Sequence, residues 1–156
     1  MKVALKPPLA KSKYIGRETL VSALINGAIS AGFFVLAFGG IDPILLAGFG
    51  NYAFDFIPQS LAIGIMATLV PGLLARKAAA SGRIAGTTSD LAGVRLARRI
   101  AGNGILAILI GAALGAAMLL SGASTIASGT GLAIKVAYGM LLGAAATWLT
   151  LRKLLA

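Results

Sequence analysis

Four apolar segments of about 20 residues each constrain this chain more than any other feature of its sequence. They cover roughly residues 20–38, 53–74, 100–120 and 132–151. A helix rises 1.5 Å per residue, so about 20 residues cross the ~30 Å hydrocarbon core of a bilayer. Hydrocarbon offers no partner for backbone N–H and C=O groups, which favours a helix for every segment. The sequence therefore predicts an all-α, integral membrane four-helix bundle, with residues 1–156 forming a single transmembrane domain.

The composition supports a membrane protein and argues against an enzyme. Hydrophobic residues make up 58% of the chain and charged residues 12%, whereas soluble domains are about 25% charged. The chain has no cysteine, no histidine and only four acidic residues. Thiolate chemistry and histidine-based acid–base or metal chemistry therefore lack their side chains. We expect no catalytic residues, no cofactor and no metal.

The basic residues indicate how the segments are oriented. Five lie before the first segment, six lie in the loop 75–99 and two follow the last segment, whereas Lys135 alone falls on the other side. An excess of Lys and Arg marks the cytoplasmic side of a membrane protein. We therefore expect two antiparallel transmembrane hairpins, cytoplasmic N- and C-termini, a basic cytoplasmic loop at 75–99, and multi-pass insertion in the inner (cytoplasmic) membrane.

Small residues recur at spacings that let membrane helices approach closely. They fall four residues apart in several segments, which is the small-xxx-small spacing of membrane helix contacts. The two halves of the chain could also be a repeat, because Asn26-Gly27 and Asn103-Gly104 occupy similar places in the first segment of each half. The residues predicted to pack against other helices are Gly27, Gly64, Gly72, Gly111, Gly115, Gly139 and Gly143.

Polar residues within the apolar segments are the candidate functional site. Asp55 is the only acidic residue within these segments, and Asn51, Asp55 and Gln59 would form a stripe on a helix. Such residues either line a path for protons, ions or solutes or hold helices together at about 0.6 kcal/mol per hydrogen bond. The predicted intramembrane cluster comprises Asn26, Ser30, Asp55, Gln59 and Ser60.

Lys135 is the basic residue on the side opposite the others, at a depth similar to that of Asp55. An ion pair between the two would lower the cost of burying each charge. The alternative is that Lys135 extends to the membrane interface.

The remaining basic residues predict contacts with lipid rather than nucleic acid, because they lie only at the edges of the apolar segments. Each could attract anionic headgroups by about 1 kcal/mol. The residues concerned are Arg76, Lys77, Arg95, Arg98 and Arg99. The other expected partners are membrane helices, in a homo-oligomer or a larger complex.

Two functions remain open on the sequence alone. The first is a small polytopic inner-membrane protein that acts through helix packing, as an accessory or assembly subunit of a membrane complex or as a homo-oligomer. The second is a small oligomeric transporter or channel for protons, ions or a solute, which would use the polar stripe of Asp55 and Gln59.

Overall fold

The computed structural model of the protein is all-helical apart from one pair of two-residue strands. It describes residues 9–84 and 93–155, with side chains in the second range from Leu96 onward. The predicted N-terminal tail up to Pro8, the middle of the basic loop and the Arg95 side chain lie outside these residues. The elements, in chain order, are α1 Lys11–Phe38, β1 Ile44–Leu45, α2 Phe56–Ala80, α3 Gly93–Leu120, β2 Thr125–Ile126 and α4 Ser128–Leu154.

All four helices are long and apolar enough to cross a membrane, so the chain is a multi-pass membrane protein. They are longer than the predicted segments, since α1 and α3 have 28 residues each, or about 42 Å. The predicted loop 75–99 is accordingly shorter, because α2 continues to Ala80 and α3 begins at Gly93. Arg98 and Arg99 therefore lie on α3, which continues straight into the third apolar segment.

The close helix pairs join one half of the chain to the other. Helix α1 packs along α4, α4 also contacts α2, and α2 packs along α3. The helices thus follow the order α1–α4–α2–α3, and the two helices within each half of the chain, α1 with α2 and α3 with α4, share few contacts. The observed pairing differs in this respect from two self-packed hairpins.

Glycines allow the two close pairs to form. A methyl group on Gly139 would lie 3.0 Å from the Asn26 carbonyl oxygen of α1, and one on Gly64 would lie 2.9 Å from the Asn103 carbonyl oxygen of α3. One on Gly115 would lie 2.5 Å from the Ala53 carbonyl oxygen. The helix backbones are therefore nearly in contact, which is how membrane helices gain packing without a hydrophobic driving force between them.

These contacts relate the two halves as an internal repeat. Pairing Asn26 with Asn103 and Gly64 with Gly139 places the glycine of each second helix against the asparagine carbonyl of the opposite first helix. The short strands obey the same relation, because β1 and β2 pair antiparallel with Ile44 opposite Ile126. Each half thus contributes a helix, a short strand and a helix, and each first helix packs on the second helix of the other half.

One end of the bundle, called the turn end here, carries the connections 39–55 and 121–127. Four aromatic rings pack there in a buried cluster, Phe34, Phe38, Tyr52 and Phe56. The longer connection folds back on itself, since the Tyr52 and Ala53 amides donate to the carbonyls of Leu45 and Leu46 at 3.2 Å. This arrangement holds Tyr52 and Asp55 at the N-terminus of α2.

The opposite end, called the terminal end, brings the first and last helices together. Tyr14, Ala78, Ile84 and Leu151 form a buried cluster there, and the Leu9 amide donates to the Arg83 carbonyl at 2.9 Å. The beginning of α1, the end of α2 and the end of α4 therefore lie on one side of the bundle.

The charge pattern predicts that the terminal end is cytoplasmic. A reporter fused after Ala156 should be active in the cytoplasm, and one inserted at Ser124, in the turn-end connection, should be active outside. Protease accessibility in sealed vesicles of each orientation checks the same assignment. Finding both reporters on the same side, or the two sides exchanged, would contradict it.

Candidate functional site

An ion pair joins the start of α2 to the second turn of α4. The Lys135 ammonium donates to Oδ2 of Asp55 at 2.9 Å. The Lys135 side chain is 1% exposed and the Asp55 side chain 30% exposed. The base is thus fully enclosed, whereas the acid keeps access to the surroundings of the turn end.

Aromatic rings surround the enclosed ammonium. The Lys135 Nζ atom lies 3.6 Å from the ring centroid of Phe56 and 5.1 Å from that of Tyr52. Phe56 is held in turn by edge-to-face contacts with Tyr52 and Tyr138, at centroid distances of 5.4 and 5.1 Å. Ring faces attract cations, so they replace part of the hydration that Lys135 loses on burial.

Tyr52 fixes the position of this aromatic wall. Its hydroxyl donates to the Gly131 carbonyl at 2.7 Å, which ties the longer connection to the first turn of α4. Burial, and secondarily the negative charge of Asp55, raise the pKa of Tyr52 above its usual value. The phenol therefore stays protonated and remains a hydrogen-bond donor.

Gln59 lies one turn along α2 from Asp55 and bridges three helices. Its amide nitrogen donates to Ser30 Oγ of α1 at 2.8 Å and reaches the Lys135 carbonyl of α4 at 3.5 Å. Because a carbonyl can only accept, the amide nitrogen is the end of Gln59 that suits this position. The other end, Oε1, is buried and has no hydrogen-bond partner among the described residues.

Ser60 and Asn26 take part in separate hydrogen-bond groups. Ser60 donates to the Phe56 carbonyl and accepts from the Tyr138 hydroxyl at 2.5 Å. Asn26 donates to the Ser22 carbonyl at 2.8 Å and to Ser22 Oγ at 3.2 Å, both within the middle of α1. Asn51 lies before the start of α2, where its side-chain amide donates to the Ala47 carbonyl. The stripe predicted for Asn51, Asp55 and Gln59 therefore contains only Asp55 and Gln59.

The structure thus divides the predicted polar cluster. It brings Ser30, Asp55 and Gln59 together with Lys135, and it sets Ser60 on the other side of Phe56. Asn26 belongs to a network in which the Thr147 hydroxyl lies 2.7 Å from Ser22 Oγ.

A third polar network was missed by reasoning from the sequence. Asn103 of α3 donates to Thr68 of α2 at 2.8 Å and to Thr150 of α4 at 3.0 Å. The signal was available in the repeat, because Asn103-Gly104 corresponds to Asn26-Gly27. Asn103 thus ties α3 to one helix of each half, whereas both hydrogen bonds of Asn26 stay within α1.

The predicted packing glycines occupy helix contacts within the chain. Gly27 faces Met140, Gly72 faces Leu96, and Gly143 faces the Asn26 side chain. Gly111 faces Ser60 and the Phe56 carbonyl. The small-residue rows are thus used by the chain's own helices rather than left on the surface.

The predicted lipid-contact residues lie apart from the ion pair. Arg76 and Lys77 are exposed near the end of α2, and Arg98 is exposed in the second turn of α3. Arg99 is half-buried on the neighbouring face of α3. All four lie toward the terminal end, away from Asp55.

Two cavities follow the seam between α1 and α2, where these helices diverge. One, of about 220 Å³, is lined at the turn end by residues that include Ser30, Asp55 and Gln59. The other, of about 150 Å³, is lined toward the terminal end by residues that include Glu18, Ser22 and Asn26. Both have mainly apolar walls with a few polar groups between them.

Within residues 9–84 and 93–155, no group of three or more acidic side chains is placed to hold a metal ion. Comparison of the chain with protein-family models, with curated proteins and with solved structures gave no match. The geometry of the bundle is therefore the basis of the functional argument.

Proposed function

We propose that this is a non-catalytic inner-membrane protein that acts through helix packing, as an accessory or assembly subunit of a larger membrane complex. The observation that supports it most is the exposure of α3 at one edge of the helix order. Only 22% of its apolar window is buried inside the chain, against 33–39% for the other three helices. Helix α3 therefore has the most surface available for a further helix.

The exposed side of α3 carries the spacing that membrane helices use to pack. Its residues recur at alternating intervals of four and three, which keeps them on one side of a helix. Leu109 is 61% exposed, and the small residues on this side permit close approach of a second backbone. The α3 face comprises Gly102, Leu106, Leu109, Ala113 and Ala116.

The charge at the terminal end of this face favours a different chain over a second copy. Arg98 precedes Gly102 by one turn and extends the α3 face, and the half-buried Arg99 lies beside it on the neighbouring face. Two parallel copies would bring four guanidinium groups together, and like charges in a membrane contact are unfavourable. A partner helix with a carboxylate at that depth would pair with them instead.

Leu109→Trp should release the chain from its complex without weakening the bundle, because the ring would block the α3 face and meet no internal contact. Native mass determination in mild detergent and in lipid discs measures the release. The matched control is Leu36→Trp on α1, where the side chain is 84% exposed. The control should keep the complex intact, and both variants should unfold at the wild-type temperature.

Two results would contradict the assignment. Wild-type protein that runs as a single 15.6 kDa chain in both media would leave no complex for α3 to support. A complex whose mass is a multiple of 15.6 kDa would contradict the charge argument and assign the α3 face to a homo-oligomer.

Exchanging Arg98 and Arg99 for glutamate should weaken a complex with an acidic partner.

Transport of protons, ions or a small solute is the second candidate, and the seam between α1 and α2 favours it. Acidic and amide side chains line cavities at both ends of that seam. If the seam is a path, Asp55→Asn should fold normally and abolish flux into reconstituted vesicles, whereas Lys135→Ala should leave the flux nearly intact.

The basic residues of the terminal end support a contact with anionic lipid in either case. Arg76, Lys77 and Arg98 are exposed toward the terminal end, and each would add about 1 kcal/mol of attraction to an anionic leaflet.

A further inference from the structure

A basic cleft lies at the terminal end, between the first turns of α1 and the last turns of α2. Its volume is about 130 Å³. An apolar cavity of about 150 Å³ accepts a benzene ring, so this cleft has room for a phosphate group. Three of its lining residues are cations and one is an acid. These charged residues are Arg17, Glu18, Lys77 and Arg83.

The backbone that follows α2 brings Arg83 to this cleft. Gly82 ends the helix with a positive φ of 68°, and the Arg83 amide then donates back to the Ala78 carbonyl at 2.9 Å. This is the reversal that commonly terminates helices at glycine. The Arg83 carbonyl accepts from the Leu9 amide at 2.9 Å, just before α1. Arg83 is thus fixed beside the start of α1 by its own backbone.

The charges of the cleft favour an anion. Arg17 donates to the Glu18 carboxylate at 2.8 Å, so these two residues neutralise each other. Lys77 and Arg83 are exposed and leave the lining with a net positive charge. Like charges held together are unfavourable, and an anion between them removes that cost. Guanidinium and ammonium groups are the usual protein partners of phosphate.

The cleft lies at the depth of the lipid headgroups. The apolar segments begin at about residue 20 in α1 and end at about residue 74 in α2. Arg17 and Lys77 therefore lie just outside the hydrocarbon. Basic pockets between membrane helices on the cytoplasmic side bind anionic headgroups, and the charge pattern predicts that this end is cytoplasmic.

An apolar groove continues from the cleft along the seam between α1 and α2. The cavity of about 150 Å³ described above shares Glu18 and Leu74 with the cleft. Val21 and Val70 line this groove one turn deeper and are 43% and 41% exposed. A phosphate that carries an apolar chain matches both parts, whereas a soluble phosphate would leave the groove uncovered.

We propose that the basic cleft binds the phosphate of one anionic phospholipid, whose acyl chain lies in the groove between α1 and α2. Lys77 and Arg83 bind the phosphate, and Arg17 keeps Glu18 neutralised. The inference rests on the contact with anionic lipid proposed above and assigns it a site for a single molecule. It does not depend on the α3 face, which lies at the other edge of the helix order.

Native mass spectrometry of the full chain in mild detergent tests the headgroup contact. It measures the dissociation constants of phosphatidylglycerol and of phosphatidylcholine with the same acyl chains. Phosphatidylglycerol should bind more tightly, at one molecule per chain. Lys77→Gln with Arg83→Gln should weaken its binding about thirtyfold, as expected for the loss of two cations. The binding of phosphatidylcholine should change much less.

The matched control is Arg152→Gln with Lys153→Gln, which removes the same charges from exposed residues of α4 outside the cleft. It should bind phosphatidylglycerol like wild type. If the Lys77 and Arg83 double variant fails to fold, the comparison of Lys77→Gln with Lys153→Gln decides.

Two further measurements separate a lipid from a soluble phosphate. Val21→Trp should weaken the binding of both lipids by filling the groove, whereas Leu36→Trp, near the other end of α1, should weaken neither. Inorganic phosphate in large excess should leave phosphatidylglycerol bound, because it cannot occupy the groove.

Equal affinity of the wild-type protein for the two lipids would overturn the proposal. Equal losses in the two double variants would also overturn it and leave only a general attraction of the basic end, with the lipid contact proposed above intact. Displacement by inorganic phosphate, or Val21→Trp binding as tightly as Leu36→Trp, would overturn the assignment to a lipid.

Discussion

Asp55→Asn is expected to lower the free energy of unfolding by about 3–5 kcal/mol, the largest effect of any single polar substitution in the described bundle. The reason is the enclosure of its partner. Lys135 is 1% exposed, so removing the carboxylate leaves an ammonium without a counter-charge or water. The faces of Phe56 and Tyr52 would compensate only part of that cost.

Removing the lysine instead of the aspartate should cost less stability. Lys135→Met leaves Asp55, whose side chain is 30% exposed and can be hydrated from the turn end. We expect a loss of about 2 kcal/mol. The difference between the two single variants is a signature of a pair in which one member is buried and the other is not.

The double variant, Asp55→Asn with Lys135→Met, should recover most of the loss, because the unpaired charge is a larger penalty than the missing attraction. Thermal unfolding in mild detergent measures all three variants. A matched control is Asp42→Asn, an exposed acid at the same end whose Oδ1 accepts from the Ser128 amide at 2.9 Å. It should change stability by no more than about 0.5 kcal/mol.

Normal stability of Asp55→Asn together with lost flux in vesicles would contradict the structural role and favour the transport alternative. A double variant no more stable than Asp55→Asn would show that the buried charge is not the source of the loss.

The number and type of helices could be predicted from the sequence, because hydrocarbon permits few solutions for a backbone that must satisfy its own hydrogen bonds. The helix ends could not. Residues such as Lys11 and Arg98 are too polar for an apolar window, yet they continue helices beyond the span of the hydrocarbon. A hydropathy pattern reports the membrane segment of a helix rather than its full length.

Helix pairing could not be predicted from the sequence, for a different reason. A short connection fixes the order of two helices along the chain, but the contact is decided by which small residues face each other. Gly64 could have faced α1 as well as α3, since both carry an Asn-Gly pair. Only the structure distinguishes the exchanged arrangement, in which each first helix packs on the other half.

Part of the candidate site could be predicted from the sequence. Asp55 and Lys135 are rare charges in apolar segments, and a burial penalty is a strong reason to pair them. Gln59, Ser30 and the cavity beside them depend on the divergence of α1 and α2, which no spacing in the sequence specifies. The aromatic wall around Lys135 also required the longer connection to fold back and deliver Tyr52.

Gly111→Ala should destabilise the bundle by about 1–3 kcal/mol, although alanine is the better helix former. The added methyl group would lie 2.5 Å from the Phe56 carbonyl oxygen and even closer to Ser60 Oγ. Neither atom can move freely, because the carbonyl is part of α2 and Ser60 is bonded to both Phe56 and Tyr138. Helix α3 would have to shift away from α2, and Gly115→Leu, against the Ala53 carbonyl, should have a still larger effect.

The control substitution, Gly32→Ala, should change stability in the opposite direction. Gly32 lies in the interior of α1 with nothing within 4 Å of an added methyl group. Gly32→Ala should therefore gain stability, by up to about 1 kcal/mol, from helix propensity alone. Unfolding temperatures of both variants in mild detergent provide the comparison. If Gly111→Ala were as stabilising as Gly32→Ala, the close contact between α2 and α3 would be excluded, and with it the exchanged arrangement of the two halves.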